Sequence, residues 1–423
     1  MADFETVNFF KDRAIHDDPY AYYDWLREQH PVWQEPRYGV FMVSGYEEAM
    51  AVYNDAATYS SCNTISGPFV KFSVPLEGDD VSAVIAEHRH ELPFSDQLPS
   101  FDPPMHTAHR GLLMRLITPK RLIENEEFMW RHADHYMDEF LDKGECEFIS
   151  EYASPFTLVV IADLEGVPEA DHAQFKSRLV NLIGGDLAHN PLEFLYDQFS
   201  EYVEDRRAAP RNDILTGLAT ATFPDGSTPD VKDVALIAAN LFAAGQETTV
   251  RLLSFALKVL GERPDLQQAV REDRSRIPNF IEETLRVESP LRAQFRMAKV
   301  RTTLAGVDIP AGSSVLLLPG AANRDPRFFE NPYEFDIDRV NARKHLGFGF
   351  GIHTCAGAPL ARAEGKVTLN RLLDRTSDIR ISETAHGPAD SRQYEYLPTY
   401  LFRGLTNLHL ELTPEPTATR NPD

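Results

Sequence analysis

The chain has little of what several classes of protein need. Its 423 residues include only Cys62, Cys146 and Cys355, which are too few and too widely spaced for a disulfide framework and favour a reducing compartment. No run of about 18 or more apolar residues occurs, and the first residues carry acid where a signal peptide needs base. We therefore expect a soluble, cytoplasmic protein. The net charge of −23 argues against binding to nucleic acid or to anionic membranes.

No internal repeat, low-complexity tract or Gly/Ser linker divides the chain. With 43% hydrophobic residues it can bury a large core, and we predict one domain over residues 1–412 followed by a disordered tail over 413–423. Helical periodicity dominates residues 103–275, and short strands are predicted within 295–320 and 380–412. The predicted fold class is mainly α with small β-sheets.

One short segment carries the strongest chemical signal. Residues 348–357 read Phe-Gly-Phe-Gly-Ile-His-Thr-Cys-Ala-Gly, and a helical pattern begins at Ala358. Gly349 and Gly351 lack a Cβ, so they allow tight turns and a close approach to a flat ring. The positive end of the helix dipole and its free N–H groups favour the ionised form of the Cys355 sulfur. The pattern indicates a cysteine thiolate that binds a large planar metal cofactor.

Three other interpretations compete with the thiolate. A buried structural role is the commonest one for a free cysteine. The Gly349-x-Gly351 pair also occurs in phosphate loops, but no Lys-Ser or Lys-Thr and no third glycine follows in register. A zinc site built from His345, His353 and Cys355 lacks a fourth ligand at the usual spacing. The thiolate is the preferred interpretation.

The segment resembles the haem-binding loop of the cytochrome P-450 family, Phe-Gly-x-Gly-x-His-x-Cys-x-Gly, and matches it at every fixed position. Other motifs of the family appear in the right order along nearly the whole chain. The resemblance implies the cytochrome P-450 fold, a triangular helical domain with haem between a long central helix and the C-terminal helices. It also implies haem b with Cys355 as axial ligand to the iron, and with Phe348, His353 and Gly357 in contact with the haem.

Residues 231–260 predict a helix about 45 Å long, at a rise of 1.5 Å per residue, that is apolar on most sides. Its centre, Ala244-Gly245-Gln246-Glu247-Thr248, resembles the family's oxygen-activation segment, with Glu in place of the commoner Asp. The resemblance implies that Ala244 lies against the haem, that Thr248 hydrogen-bonds to dioxygen and that Glu247 relays protons. The alternative is a helix whose threonines bond to backbone carbonyls and whose Glu247 reaches solvent.

The segment that begins at Asp102 predicts a helix with Asp102 as its cap and Pro103 in its first turn. His106 and Arg110 then lie four residues apart on one face. Haem propionates need cationic or hydrogen-bonding partners. By resemblance, four residues of this chain supply them: His106, Arg110, Arg296 and His353.

Glu283 and Arg286 are three residues apart on one predicted helix face, which alone is weak support for any role. In the family, such a pair forms a buried structural network with a second arginine. Arg339 matches the position of that second arginine. The resemblance therefore implies a structural network of Glu283, Arg286 and Arg339 that supports the haem loop and takes no part in catalysis.

By resemblance, the substrate pocket is lined by the irregular 60–100 segment, helices near 175–190, the central helix and two short C-terminal segments. These supply the following apolar side chains: Phe69, Val70, Phe94, Leu179, Leu182, Ile183, Ala244, Leu291 and Phe402. Asn240 shares a helical face with Thr248, so we expect it to hydrogen-bond a substrate oxygen. Arg292 either meets a substrate carboxylate or points to solvent. The expected substrate is a terpenoid, steroid-like or aromatic compound that carries one or two oxygens.

The resemblance implies a bacterial-type soluble monooxygenase that uses dioxygen and two electrons. The chain has no flavin or nicotinamide fingerprint and no cysteine cluster for iron–sulfur, so its electrons must come from elsewhere. The resemblance implies that an acidic ferredoxin and a ferredoxin reductase deliver them from NAD(P)H. A basic patch would steer the ferredoxin. Its candidates are six residues: Arg110, Arg115, Arg343, Lys344, Arg362 and Lys366. We expect a monomer with no nucleic-acid partner and no membrane insertion.

Two rival functions remain open. A peroxide-driven haem-thiolate peroxygenase would normally lack the acid–threonine pair, which this chain has as Glu247-Thr248. A haem-based ligand carrier or sensor would need the thiolate but neither member of that pair. Turnover with reduced ferredoxin, compared with turnover with hydrogen peroxide, separates the three functions.

Overall fold

A computed structural model describes residues 4–179 and 193–415. Within these residues the chain is mainly helical. The helices are α1 (Arg13–Asp17), α2 (Tyr20–Gln29), α3 (Tyr46–Asn54), α4 (Ser82–His88), α5 (Met105–Leu113), α6 (Pro119–Asp138), α7 (Ser154–Glu165), α8 (His172–Leu179), α9 (Glu193–Ala208), α10 (Ile214–Ala219), α11 (Val231–Glu262), α12 (Pro264–Glu272), α13 (Ile277–Val287), α14 (Pro319–Ala322), α15 (Ala358–Arg375) and α16 (Glu383–His386).

Short strands form three small sheets in the described part of the chain. The strands are β1 (Val32–Gln34), β2 (Phe41–Val43), β3 (Tyr59–Ser60), β4 (Glu145–Glu147), β5 (Gln294–Ala298), β6 (Thr302–Leu304), β7 (Val307–Ile309), β8 (Ser314–Leu317), β9 (Thr376–Ile381) and β10 (His409–Pro414). The largest sheet has the order β1-β2-β8-β5-β3, in which only the β2–β8 pair is parallel. The other sheets are β4-β10-β9 and β6-β7.

The central helix α11 confirms the helix predicted over 231–260. Pro229 lies just before α11 and Pro264 lies just after it. Because proline disfavours helical backbone in the residue that precedes it, Pro264 explains why the helix ends at Glu262. Helices α5, α7, α9, α13 and α15 pack around α11, which explains its apolar character on most sides. Among the described residues, no helix has the length and apolarity to span a membrane.

Two local predictions are wrong. Asp102 does not cap α5, which begins at Met105; its carboxylate instead accepts hydrogen bonds from the Ser61 N–H at 2.8 Å and the Ser60 hydroxyl at 2.5 Å. Two prolines follow Asp102, and a residue before proline favours extended backbone, so the helix starts later. The predicted tail also begins too early, because 413–414 belong to β10 and pair with β9. Residues 416–423 lie outside the described residues.

Candidate active site

The loop that ends at Cys355 is folded around its own sulfur. The Cys355 N–H donates to the Phe348 carbonyl at 2.8 Å, which closes the loop. The backbone N–H groups of Gly357 and Ala358, at the start of α15, act to lower the pKa of the Cys355 thiol. A Cβ at Gly357 would lie 3.8 Å from Sγ and would fill space beside the sulfur. The sulfur is therefore held by backbone on one side and left open on the other.

Gly351 is required for a reason that the sequence did not reveal. Its φ is +71°, and a Cβ there would lie 2.3 Å from the Tyr53 carbonyl oxygen on α3. Gly349 also has positive φ, +64°. The two glycines make the turns of the loop possible, as predicted. At Gly351 the close approach is to another part of the protein.

Cys355 differs from Cys62 and Cys146 in what its sulfur faces. The other two are buried, whereas Cys355 has exposed surface even though it lies deep in the molecule, so its sulfur faces an internal space. Burial raises the pKa of Cys355, and the backbone N–H groups of the helix start, with Arg110 and Arg362, oppose this rise only in part. The start of α15 therefore favours the ionised sulfur, as predicted, but its effect on the pKa is smaller than that of burial. A bound metal ion would supply the missing stabilisation, because it deprotonates a coordinating thiol.

The middle of α11 opens onto interior space. Ala244 is exposed and Thr248 is half-buried, although other helices surround α11. Gly245 faces elsewhere, because a Cβ there would lie 3.1 Å from Ile161 on α7. Ala244 therefore offers a flat surface to the interior, while Gly245 serves the packing of α11 against α7.

Thr248 and Glu247 both have partners on α11. The Thr248 hydroxyl donates to the Ala244 carbonyl at 2.8 Å, so its oxygen remains an acceptor. Glu247 Oε2 accepts from Arg251 Nη2 at 2.5 Å, and Arg251 also donates to the Leu405 carbonyl at 2.8 Å. The threonine therefore bonds to a backbone carbonyl, as in the alternative interpretation, but Glu247 forms an ion pair with Arg251. Sequence reasoning missed Arg251, although its i+4 spacing from Glu247 was visible.

Arg110 and Arg296 are buried or half-buried and have only neutral partners. Arg110 Nη2 donates to the Thr354 carbonyl at 2.6 Å. Arg296 Nη1 donates to Thr64 Oγ1 at 3.0 Å and to the Phe295 carbonyl at 2.7 Å. Neither forms an ion pair within residues 4–179 and 193–415, and burial lowers the pKa of both.

His106 and His353 lie beside these arginines with their rings tilted by 51° and the ring centroids 4.1 Å apart. Burial and the positive charge of Arg110 lower the pKa of His106 to about 4, and its two ring nitrogens have no partner among the described residues. His353 Nε2 lies 3.0 Å from Ser61 Oγ, and burial with nearby Arg296 lowers its pKa to about 2. Ser61 was not foreseen as a partner. Both histidines are therefore neutral at pH 7.

These residues fit a haem group. The propionates of a haem are two carboxylates, and no ion pair within residues 4–179 and 193–415 neutralises Arg110 or Arg296. The Asp102 carboxylate is near Arg296 but accepts its hydrogen bonds from Ser60 and Ser61. Charged groups are seldom buried without a partner. On the other side, the Cys355 sulfur and the Ala244 surface of α11 face interior space. The Cys355 sulfur and Arg110 lie close enough for the charge of each to affect the pKa of the other.

The structure places Arg292 away from any pocket. It is 1% exposed and donates to the carbonyls of His16 at 3.0 Å, Tyr400 at 3.1 Å and Thr399. Both predictions for Arg292, contact with a substrate carboxylate and exposure to solvent, are therefore wrong. The side chain instead joins the N-terminal helices to the turn near 399–401.

Other predicted pocket residues occupy varied positions. Phe69 is 46% exposed and packs edge-on against Phe10 and Tyr38, with centroids 5.3 Å and 5.5 Å away. Asn240 is half-buried, and its Nδ2 donates to the Leu236 carbonyl at 2.7 Å, while its Oδ1 has no partner among the described residues. Three further residues are half-buried: Phe94, Leu291 and Phe402. Leu291 and Phe402 face each other across a β-bridge. Leu182, Ile183 and the side chain of Leu179 lie outside the described residues.

Glu283, Arg286 and Arg339 form the predicted buried network. The Glu283 carboxylate accepts two bonds from Arg286, at 2.7 Å and 2.8 Å, and one from Arg339 Nε at 2.9 Å. The arginines also donate to backbone carbonyls of residues 323–334. This network therefore joins α13 to the segment that leads into the haem loop.

Three of the six candidates for the basic patch are engaged elsewhere. Arg110 turns inward to Thr354, Arg362 pairs with Glu282 at 2.5 Å and Lys366 pairs with Glu126 at 2.9 Å. The other three are exposed and have no ion pair within residues 4–179 and 193–415: Arg115, Arg343 and Lys344. The structure thus supports a smaller patch than the sequence suggested.

A family model described as Cytochrome P450 matches residues 185–384. The chain is 33% identical over 423 residues to cytochrome P450 144 of Mycobacterium tuberculosis, covering 96% of this chain and 91% of that protein. It is 31% identical over 419 residues to 6-deoxyerythronolide B hydroxylase of Saccharopolyspora erythraea, covering 96% and 99%. The fold matches the substrate-free Mycobacterium marinum cytochrome P450 CYP150A6 with a TM-score of 0.93 and 55% identity, covering 98% of this chain and 100% of that one.

Proposed function

Because the chain belongs to the cytochrome P450 family of monooxygenases, we propose that it inserts one oxygen atom from dioxygen into an apolar small molecule, with electrons from a ferredoxin and its reductase. The observation that carries this proposal is the Cys355 sulfur, which is held by the start of α15 and faces interior space. NAD(P)H is the ultimate electron source in this proposal.

Cys355 is the proposed axial ligand to the haem iron. Bound haem would supply an iron that activates dioxygen, with the thiolate favouring O–O cleavage. Arg110, Arg296, His106 and His353 are the proposed partners of the propionates, because neither arginine forms an ion pair within the described residues. His353 orients this cluster through its contact with Ser61. Phe348 and Gly357 shape the loop on the sulfur side.

Thr248 and Glu247 are the proposed catalytic pair. The hydroxyl proton of Thr248 is directed at the Ala244 carbonyl, so the hydroxyl oxygen faces the interior as an acceptor. Glu247 lies one residue away and is partly exposed, so its carboxylate can take up a proton and carry it inward when it leaves Arg251. Arg251, which is buried and also donates to the Leu405 carbonyl at 2.8 Å, is the partner that Glu247 would leave.

The proposed substrate is a terpenoid, steroid-like or aromatic compound that carries one or two oxygens. The support is the exposed apolar surface of Ala244 in the interior and the Oδ1 of Asn240, one turn earlier on α11. The amide can accept a hydrogen bond from a substrate hydroxyl through Oδ1 or donate its second Nδ2–H to a substrate carbonyl. Replacing Asn240 with Leu should weaken the binding of ligands that carry a hydroxyl or carbonyl group and spare that of their hydrocarbon analogues.

The proposed docking surface for the ferredoxin consists of Arg115, Arg343 and Lys344, with exposed Phe350 and Ile352 of the haem loop. Unpaired cations on a protein of net charge −23 would steer an acidic partner to this face. Charge reversal at Lys344 should slow reduction and reduce its dependence on salt. The same reversal at Lys120, which is 84% exposed on α6, serves as the control.

Turnover tests the proposed function. The purified protein is supplied with a ligand that displaces water from iron in a spectral titration, and product is measured with reduced ferredoxin and, separately, with hydrogen peroxide. We expect oxygenated product with ferredoxin and isotopically labelled dioxygen, with one labelled oxygen per product. Product with peroxide alone would favour a peroxygenase, and ligand binding without product from either donor would favour a carrier or sensor.

A further inference from the structure

A second set of charged residues lies directly behind the haem loop. Glu282, His345 and Arg362, called here the Glu282 trio, come from α13, from the residues just before the loop, and from α15. Arg362 donates to both oxygens of Glu282, at 2.5 Å and 3.0 Å. His345 Nε2 lies 3.1 Å from Glu282 Oε2. Glu282 and His345 are buried, and the Arg362 side chain is 27% exposed.

The hydrogen bonds of His345 determine which ring nitrogen carries the proton. The Gly347 N–H donates to His345 Nδ1 at 3.0 Å, so Nδ1 is an acceptor and Nε2–H donates to Glu282. Burial lowers the pKa of His345, although Glu282 opposes this. Burial raises the pKa of Glu282, but hydrogen bonds from His345 and Arg362 outweigh burial and bring it to about 2. The trio therefore consists of a carboxylate, a neutral imidazole and a guanidinium.

The trio contacts the residue that closes the haem loop. The Arg362 guanidinium lies 4.7 Å from the centre of the Phe348 ring, and the His345 ring centroid is 5.5 Å from the Phe348 ring centroid. The Phe348 carbonyl is the acceptor for the Cys355 N–H. A continuous path of contacts thus runs from the Glu282 carboxylate through Arg362 and Phe348 to the backbone of Cys355.

The trio is separate from the Glu283 network, although Glu282 and Glu283 are neighbours on α13. Glu283 binds arginines that hold the 323–334 backbone, whereas Glu282 binds residues on both sides of Cys355, at positions 345 and 362. The Glu283 network fixes the segment that leads into the loop. The trio fixes the loop itself at its two ends.

We propose that Glu282, His345 and Arg362 are positioning residues that hold the sulfur of Cys355 at its distance from the iron and so set the reduction potential of the haem. This inference rests on the proposed function, because it requires Cys355 to be the axial ligand. Backbone N–H groups bonded to a ligand sulfur tune the potential of the metal, and a loop that shifts would change those bonds. The trio thus acts on the reaction through the loop and does not touch substrate.

Arg362→Gln is the main test, with Lys366→Gln as a matched control. Both residues lie on α15 one turn apart, both are partly exposed and both pair with a glutamate, but only Arg362 contacts the Glu282 trio and Phe348. The measurements on the haem-loaded proteins are the ferric–ferrous potential and the fraction that keeps the red-shifted Soret band after reduction and addition of carbon monoxide. Arg362→Lys, which keeps the charge but not the two-pronged bond, tests partial rescue.

We expect Arg362→Gln to shift the ferric–ferrous equilibrium at least about threefold, roughly 30 mV for one electron, and to lower the red-shifted fraction. The potential and the red-shifted fraction of Lys366→Gln should equal those of the wild type. Those of Arg362→Lys should lie between the wild type and Arg362→Gln. If Arg362→Gln retains no haem, the same comparison is made with the shift in the potential of Arg362→Lys. Wild-type potential and spectrum in the Arg362 variants, or an equal shift in Lys366→Gln, would overturn the proposal. A wild-type protein without the red-shifted band would instead contradict the proposed function.

Discussion

Two pairs of buried arginines in this protein have opposite surroundings. Arg286 and Arg339 share the Glu283 carboxylate and donate their other N–H groups to backbone carbonyls. Arg110 and Arg296 reach only neutral oxygens, and two neutral histidines lie beside them. A guanidinium is always charged, so both pairs place positive charge inside the protein.

The difference is the reason why we assign one pair to the fold and propose the other as a ligand-binding pair. Burying a charge is costly unless an opposite charge and hydrogen bonds satisfy it. The Glu283 network meets this condition with protein groups alone. Arg110 and Arg296 have no ion pair within the described residues, and in the proposed function the two propionates of haem supply the opposite charge. The proposal thus assigns the same residue type to the scaffold in one region and to ligand binding in the other.

The largest effect should come from breaking the satisfied pair. Glu283→Gln leaves Arg286 and Arg339 buried without a counter-charge, so it should lower the free energy of unfolding by roughly 3–5 kcal/mol. Denaturant unfolding of the haem-loaded protein measures this. Asp338→Asn is the control, because Asp338 is next to Arg339 but is 63% exposed. It should change the free energy of unfolding by less than about 0.5 kcal/mol. A loss in Glu283→Gln no larger than the control's would remove the distinction between the two pairs.

Arg296→Gln should lower the free energy of unfolding less than Glu283→Gln does, but it should weaken the binding of haem more. The loss of a charged hydrogen bond to a propionate costs about 1.5–3 kcal/mol, which is roughly a tenfold to hundredfold weaker affinity for haem. Transfer of haem to an excess of a haem-binding acceptor protein measures the rate of loss. Arg301→Gln, exposed and paired with Asp308, should release haem at the wild-type rate. Wild-type haem retention in Arg296→Gln would mean that the cluster does not bind the propionates.

Thr248→Ala tests the reactive side of the cavity. Without the hydroxyl, oxygen activation should become inefficient, and product formed per electron consumed should fall about tenfold or more. Haem content and stability should stay near wild type, because Thr248 bonds only within α11. Thr248→Ser keeps the hydroxyl and should retain most of the yield. An unchanged yield in Thr248→Ala would remove Thr248 from the catalytic pair.

The smallest effect concerns pH. The pKa of His106 is about 4 in the folded protein and 6.5 in its ordinary state, so the unfolded chain binds a proton in this interval and the folded chain does not. The free energy of unfolding that His106 contributes is therefore lost as the pH falls from 6.5 towards 4. The loss is about 1 kcal/mol between pH 7 and 5.5. The loss should be smaller in haem-loaded than in haem-free protein, because a propionate favours protonated His106. His106→Gln should lack this component; an identical pH profile in His106→Gln would contradict the assignment.

The sequence predicted the parts of the site that depend on local spacing. The loop at 348–357, the helix over 231–260 and the Glu283-x-x-Arg286 pair all follow from short patterns, because their chemistry needs particular residue types a few positions apart. The structure places these segments around one interior space.

The sequence did not predict features that depend on contacts between distant segments. Arg292 is satisfied by carbonyls more than 100 residues away in either direction along the chain, which no local pattern reveals. Asp102 bonds to Ser60 and Ser61 across about 40 residues, so its apparent role as a helix cap was misleading. Arg362 has the surface position of a docking residue, but Glu282, 80 residues earlier, holds it inward.

Ligation of the iron by Cys355 is the claim on which the function depends, and the carbon monoxide spectrum of the reduced protein tests it most directly. Haem-loaded wild type, Cys62→Ala and Cys146→Ala should all show the strongly red-shifted Soret band of a thiolate-bound haem. Cys355→Ala should lose this band while circular dichroism shows that it remains folded. A folded, haem-loaded wild type without the band, or a Cys355→Ala variant that keeps it, would contradict the account.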